Sequence, residues 1–482
     1  MTENSHGWIG TETVATRLGD FEFANSYPVG DAAQRLKNTL VFNRAVEAYL
    51  VQMPSVSDYC VWTGVASAGS GMPNQVVIWE TLMDSVTLLL TGNTETVYAL
   101  AAVDLMRDGP VVVEVPPTML GTLGDLTQHT IVDIGVTGID RGNGGKFLAL
   151  PPDYDGEVPD GYFIAQSPSY GVVLGLRGFQ VDAKPDEAVA LMKQIRIYPL
   201  TASDNPPETM FVNGSGQEIV TVFDDTAKYF DDLAALIERE PSDLIAEHER
   251  FQLAAIGIEK GKPFEPDAAR RKVLDDAARF ASAVARANSF ASDDEARLVY
   301  PDRRWEWAFI GDSATWDSQG YVNTDRRAGF AYIAIGMSPA MVDKHVGAGS
   351  QYLWTPRDAS GAFLDGGSTY RLHIPANIPA KNFWSVVAYD ADSRSLLRSD
   401  QRFPSVSTYT NAHLNADGSI DVHFGPHIPT YTESNWIQTV TGKGWFTLFR
   451  FYGPLEPFFD QTWKPGDIEL VNGAPGNVDA RG

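Results

Sequence analysis

Between Asn382 and Glu469 the chain places four tryptophans, Trp384, Trp436, Trp445 and Trp463, in short runs punctuated by Gly, Pro, Asn and Asp. The run Gly444-Trp445-Phe446-Thr447-Leu448-Phe449-Arg450-Phe451-Tyr452 alternates as one buried strand does, and fits a helix poorly. Rings of this size on short strands read as the core of a β-sandwich. A second reading competes for some of them. Trp384, Trp436, Trp445 and Tyr452, with the amide of Asn435 and the guanidinium of Arg450, are also what a sugar or aryl ligand needs.

The rest of the chain changes period twice. Asp31 to Pro54 reads as a helix with Asp31 as N-cap and Pro54 as its stop. From Gln75 to Phe179 strand-like runs alternate with loops rich in Gly, Pro and Asp, as a sandwich or barrel of short strands requires, and Lys193 to Pro199 adds one more. Asp224 to Glu240, Ser242 to Ile256 and the Ala-rich Asp267 to Phe290 then read as helices. Strands resume at Tyr352 and run to Leu470. The predicted fold is mainly β with a helical section (α+β). Its parts are an N-terminal extension (1–30), an N-terminal β domain (31–200), a mainly helical connector (201–345), a C-terminal β domain (346–470) and a tail (471–482).

Charge and cysteine content narrow the function. A formal net charge of −25 opposes non-specific binding to nucleic acid or to an anionic membrane, both of which need a basic face. No apolar run is long enough to span a bilayer, and no signal peptide is read at the N-terminus, so the default address is cytoplasmic. Cys60 is the one cysteine, which excludes an intrachain disulfide and a Cys-based zinc site. No dinucleotide or Walker loop is present. Gly142-Asn143-Gly144-Gly145-Lys146 leads into a strand, so no helix N-terminus can hold a phosphate there. Ser167-Pro168-Ser169-Tyr170-Gly171 lacks the Gly-x-Ser-x-Gly elbow. No cofactor is expected.

Several spaced motifs together resemble a known bacterial pairing. Asn93-Thr94-Glu95-Thr96-Val97-Tyr98, then Asp104-Leu105 and Gly109-Pro110-Val111-Val112-Val113-Glu114-Val115-Pro116, resemble the family called domain of unknown function 1254. Asn382-Phe383-Trp384-Ser385, Tyr389-Asp390, Asp417-Gly418-Ser419, Asn435-Trp436 and Arg450-Phe451-Tyr452-Gly453-Pro454 resemble its usual partner, domain of unknown function 1214. Lys260-Gly261-Lys262-Pro263-Phe264 looks like the region that joins them. The resemblance covers roughly residues 30–470. It implies an N-terminal β domain, a helical intervening part and a C-terminal jelly-roll-like sandwich, with no assigned chemistry. Many members carry Asp where this chain has Glu95, and many relatives are exported.

Four constellations can carry chemistry. Asn93, Glu95 and Tyr98 put a carboxylate and a phenol at a strand mouth, suited to acid–base work, though a turn with a packed tyrosine explains the same residues. Asp390 and Asp392, with Arg394, Asp400 and Arg402, are paired acids on a strand. They read better as a turn whose acids cap amides, with Arg402 pairing one of them. His423 and His427 flank Pro426, which rules out a helical metal pair, and no metal is assigned, although His423 in a strand can reach His413 or His373. His129, after a Gly-rich loop, is the best single imidazole. The expected function is therefore an acid–base enzyme, a hydrolase or lyase, for a small polar or glycan-like substrate. Glu95, Tyr98 and His129 are its catalytic candidates, and Asn93, Arg402, Asn435, Trp436 and Arg450 its binding candidates. The alternatives are a carbohydrate or small-molecule binding module and a structural or assembly protein. A small-molecule or glycan ligand and a homo-oligomer are the expected partners, with no nucleic acid and no membrane.

Overall fold

A computed structural model describes residues 10–311, 313–318, 320–428 and 434–471. Most of the predicted tail, 471–482, lies outside them. The chain forms two compact units. One unit takes the chain up to Gln52 together with Asp224–Glu238 and Ile245–Val284. It holds a three-stranded antiparallel sheet from Glu12–Thr16, Gly19–Ala24 and Tyr27–Pro28, where the N-terminal extension was expected. It also holds most of the helical residues between 224 and 284 of the predicted connector. In the helix Lys228–Arg239 the buried Tyr229, Phe230, Leu233 and Leu236 recur at helical spacing, the pattern of one apolar face. Tyr229 stacks on Tyr49 with ring centroids 3.9 Å apart, and its hydroxyl donates to the Tyr49 carbonyl at 2.8 Å.

Pro54 does not end the first helix. That helix runs Ala32–Val65 with Pro54 inside it. A proline in a helix costs about 3 kcal/mol, but Met53, Val56, Val61 and Val65 beyond and beside it are all buried. At about 1.5–3 kcal/mol for each such side chain, burial outweighs the break. The other helical stretches also begin later than expected. The carboxylate of Asp224 accepts the Thr226 amide at 2.8 Å in a turn before Lys228, and Ser242–Leu244 is a separate 3-10 turn preceding the helix Glu247–Ile256. No described helix is long and apolar enough to cross a membrane.

The second unit contains both β domains. In the N-terminal domain a six-stranded sheet and a four-stranded sheet enclose one core. The strands Thr96–Asp104 and Gly171–Phe179 pair antiparallel over their full length, and the strand Leu120–Gly124 pairs on the far side of the latter. Val97, Ala99, Ala101, Val172, Leu174 and Leu176 face that core, against Val111, Val113 and Phe147 of the smaller sheet. In the C-terminal domain a five-stranded and a four-stranded sheet form the predicted sandwich. Trp384, Val386, Trp445, Phe449, Phe451 and Trp463 pack inside it against Leu372, Val422 and Phe424. Side chains on a strand alternate between faces, so each larger sheet has a second face. Those second faces carry the polar residues described next.

Candidate functional site

The residues that alternate with the N-terminal core are Tyr98 and Leu100 on one strand, Leu120 and Thr122 on a second, and Val173, Gly175 and Arg177 on a third. In the C-terminal domain they are Ser350 and Tyr352, with Leu448, Arg450 and Tyr452. All of these line one cavity of about 150 Å³ between the two sheets. A second cavity of about 310 Å³ shares Thr91, Phe330, Ala334 and Leu448 with the first.

The two sheets are held together by the loop that leads into the Thr96–Asp104 strand. Arg450 donates to the carbonyls of Thr91 at 2.6 Å and Gly92 at 3.2 Å. The Tyr389 hydroxyl donates to the Gly92 carbonyl at 2.7 Å, and Asn93 Nδ2 donates to the Tyr452 hydroxyl at 2.5 Å. Thr91 has φ of 45°, a left-handed conformation that a β-branched residue adopts only when its surroundings impose it. Arg450 supplies that imposition on one side, and the Arg394 carbonyl, which accepts the Thr91 amide at 2.9 Å, on the other.

Glu95 lies behind this loop and outside the cavity lining. Its Oε1 accepts from Thr94 Oγ1 at 2.6 Å, while its buried Oε2 makes no hydrogen bond. Burial raises its pKa, against the pull of the Thr94, Ser405 and Ser385 hydroxyls and of Arg450.

His129 stands at the other end of the cavity, on the turn after the strand Leu120–Gly124. Asp125 organises that turn. Its Oδ1 accepts the amides of Thr127 at 2.7 Å and His129 at 3.1 Å, and the Thr127 hydroxyl at 2.8 Å. Thr127 Oγ1 also lies 2.8 Å from His129 Nδ1. A hydroxyl has one proton. Since Thr127 gives its own to Asp125, it accepts from His129 Nδ1–H, and Nε2 keeps its lone pair. Burial lowers the His129 pKa, and Arg327 lowers it further against the attraction of Asp125, so the imidazole is neutral at neutral pH. Asp58 also lines the cavity. Burial, and then repulsion from Asp125, hold its pKa well above the ordinary carboxylate range.

Arg177 was not among the residues selected from sequence. Its guanidinium sits 5.2 Å from the Tyr98 ring centroid and makes one long hydrogen bond, 3.5 Å to the Tyr352 hydroxyl. Burial opposes its charge, but Tyr98, Tyr452 and Tyr352 together outweigh this and raise its pKa. No carboxylate pairs with it among the described ion pairs. Its sequence signal was a charge inside Gly-Val-Val-Leu-Gly-Leu-Arg-Gly-Phe, a strand otherwise apolar. Charges so placed are rare unless paired or functional.

Of the eight selected residues, Tyr98, His129 and Arg450 share the cavity lining. Asn93 stands one hydrogen bond behind it, through Tyr452. Arg402 lies elsewhere: it reaches Asp84 at 3.3 Å and the Thr81 hydroxyl at 2.7 Å. It therefore does not pair with Asp390 or Asp392, because the N-terminal domain presents a buried acid to it first. Asp390 caps the amide of Asp392 at 2.8 Å, as a turn acid does. The Asn435 amide is fully used by backbone, accepting from His413 N at 2.7 Å and donating to the carbonyls of His413 at 2.9 Å and Asp421 at 3.1 Å. Trp436 Nε1 donates to the Gly425 carbonyl at 3.0 Å. Among the described residues, no group of three His, Cys, Asp or Glu side chains is placed to hold a metal ion. His373 instead contacts Asp421 at 2.9 Å.

Family comparison matches residues 73–199 to the protein of unknown function DUF1254 and residues 349–456 to the protein of unknown function DUF1214. No curated protein matches the chain. Among solved structures, the VPA0106 protein from Vibrio parahaemolyticus aligns with TM-score 0.55 at 19% identity, over 90% of this chain and 100% of that one. An uncharacterised protein from Burkholderia cenocepacia aligns with TM-score 0.41 at 12% identity, over 90% and 96%. The first of these likenesses shows a shared fold and nothing about chemistry.

Proposed function

The chain belongs to the two-domain family in which DUF1254 precedes DUF1214, and from that premise we propose that it is an acid–base enzyme, a hydrolase or lyase, acting on a small polar substrate in the cavity between its β domains. The observation that carries this reading is the Asp125–Thr127–His129 chain on the cavity wall. It leaves a neutral imidazole with Nε2 as a proton acceptor, oriented by a hydroxyl and a buried carboxylate, as general bases commonly are. Asp58, whose pKa burial and the repulsion of Asp125 raise, stands on the same wall. Tyr98 and Arg177 supply hydrogen-bond donors for a substrate oxygen, while Arg450 holds the loop beside them. Glu95 and Asn93 act in this reading as positioning residues, through the loop that Arg450 grips.

The volume of the cavity that His129 lines favours the small substrate over the glycan-like one, the adjoining cavity of about 310 Å³ being lined by neither His129 nor Arg177. A cavity of about 150 Å³ is known to hold a molecule the size of benzene, and a disaccharide is much larger. A binding module without turnover is the second reading, and the same cavity serves it. Incubation with a panel of small esters, amides and hydroxy acids, read by mass change, separates the two. Turnover by the wild type and its loss in His129→Gln supports the enzyme. Binding with no mass change in any compound leaves the binding module.

A further inference from the structure

The cavity has a direction. Along the strand Gly171–Phe179, Arg177 pairs with Tyr98 and Leu120, and Val173 pairs with Ala102 and Gly124. The four steps from Val173 to Arg177 span about 13 Å at roughly 3.3 Å each. Asp125 follows Gly124, so the Asp125–His129 turn closes one end and Arg177 the other. Between them the wall is Leu100, Gly175 and Thr122 on one sheet and Leu448 on the other, a mostly apolar stretch.

The charges at the ends are opposite. Arg450 is committed to the Thr91 and Gly92 carbonyls and stands near Glu95. Arg177 has no such commitment. Its one hydrogen bond is long, and its half-buried side chain lines the cavity. An arginine inside a protein stays charged, and a charge so placed is costly unless something pairs with it. At the far end Asp125 is almost wholly buried and repels an anion. A planar guanidinium offers a carboxylate two parallel hydrogen bonds, and one uncommitted cation matches one negative charge.

We infer that the cavity takes a small monocarboxylate whose carboxylate is held by Arg177 and whose apolar body runs past Gly175 and Leu100 toward His129. This rests on the proposed acid–base reading only for what happens at the His129 end. The binding of the carboxylate stands without it.

The test is calorimetric titration of the full-length protein with hexanoate and 3-phenylpropionate, with their primary amides, and with inorganic phosphate. The wild type is expected to bind a carboxylate at least about tenfold more tightly than its amide, the lower end of what a charge-assisted pair contributes. In Arg177→Gln that preference is expected to vanish. In Arg177→Lys, which keeps the charge without the fork, a reduced preference is expected, and this guards against a Gln variant that fails to fold. Equal affinity for acid and amide, binding of phosphate in place of carboxylates, or no binding of any probe overturns the inference. Carboxylate binding that depends on Arg177, with no compound turned over, upholds it and defeats the enzymatic reading. Turnover of neutral compounds alone does the reverse.

Discussion

Arg450, on a strand of the C-terminal sandwich, donates to the carbonyls of Thr91 and Gly92 in the N-terminal domain. The contact holds a β-branched residue in the left-handed region and sets the sheets on either side of the cavity. Arg450 is the candidate that alternation in the Gly444–Tyr452 run placed on a buried strand, and its partners lie more than 350 positions earlier.

Removing this grip should be costly. Arg450→Met leaves the Thr91 carbonyl without its donor and releases the strained loop. The expected loss is about 2–4 kcal/mol, the range for breaking buried charge-assisted hydrogen bonds. Urea unfolding followed by tryptophan fluorescence measures it, and a loss below about 1 kcal/mol would show that the loop holds its shape alone.

On the proposed acid–base reading, the pH profile of activity is expected to carry the signature of His129. Its pKa is lowered in the fold, and a base must be unprotonated to act. Activity is therefore expected to be complete near neutral pH and to fall on the acid side with a midpoint below the ordinary histidine value of about 6.5. The same lowering makes the folded state bind fewer protons than the unfolded one. The His129 contribution to stability is then intact above the unfolded pKa and lost as pH falls toward the folded one. A rate profile with its midpoint at or above the ordinary value contradicts the assignment.

Gly175 tests the cavity without touching a polar group. Its backbone is extended, and an added Cβ meets Leu100 Cδ2 at 3.5 Å, an ordinary contact. Gly175→Val is expected to stay within about 1 kcal/mol of wild-type stability, since valine suits a strand, while weakening ligand binding at least about tenfold by filling the passage. Thermal unfolding and titration with 3-phenylpropionate measure the two effects. Unchanged affinity would place the ligand elsewhere.

Asn435 should behave as structure. Asn435→Ala strips hydrogen bonds from two carbonyls and one amide. A loss of about 2–3 kcal/mol is expected, with no change in kcat or KM at a temperature where the variant is folded. A raised KM with full stability would return it to the binding site.

What could be seen in the sequence follows from the range of each interaction. The alternation of Gly444–Tyr452 is local, and it pointed to one buried strand, which the structure has over Trp445–Pro454. Pro54 misled because a strong local rule was outweighed by burial of Met53 and Val56, which depends on tertiary packing. Asn435 suggested a ligand because a buried amide needs partners, and those partners, His413 and Asp421, lie 22 and 14 residues away. Arg177 went unremarked because a charge in a Gly-rich strand reads as an exposed face. Only the second sheet, from a domain nearly two hundred residues later, turns that face inward.

The floor of the cavity belongs to one domain and its roof to the other, so the gap between them is a dimension neither domain sets by itself. The Arg450 contact with the Thr91–Gly92 loop works as a spacer of fixed height. In a catalytic site a displacement of about 1 Å costs about a hundredfold in rate, and on the proposed reading the same sensitivity applies to the gap between these sheets. On the proposed reading, residues of this loop that never touch a ligand set the size of ligand that the cavity takes.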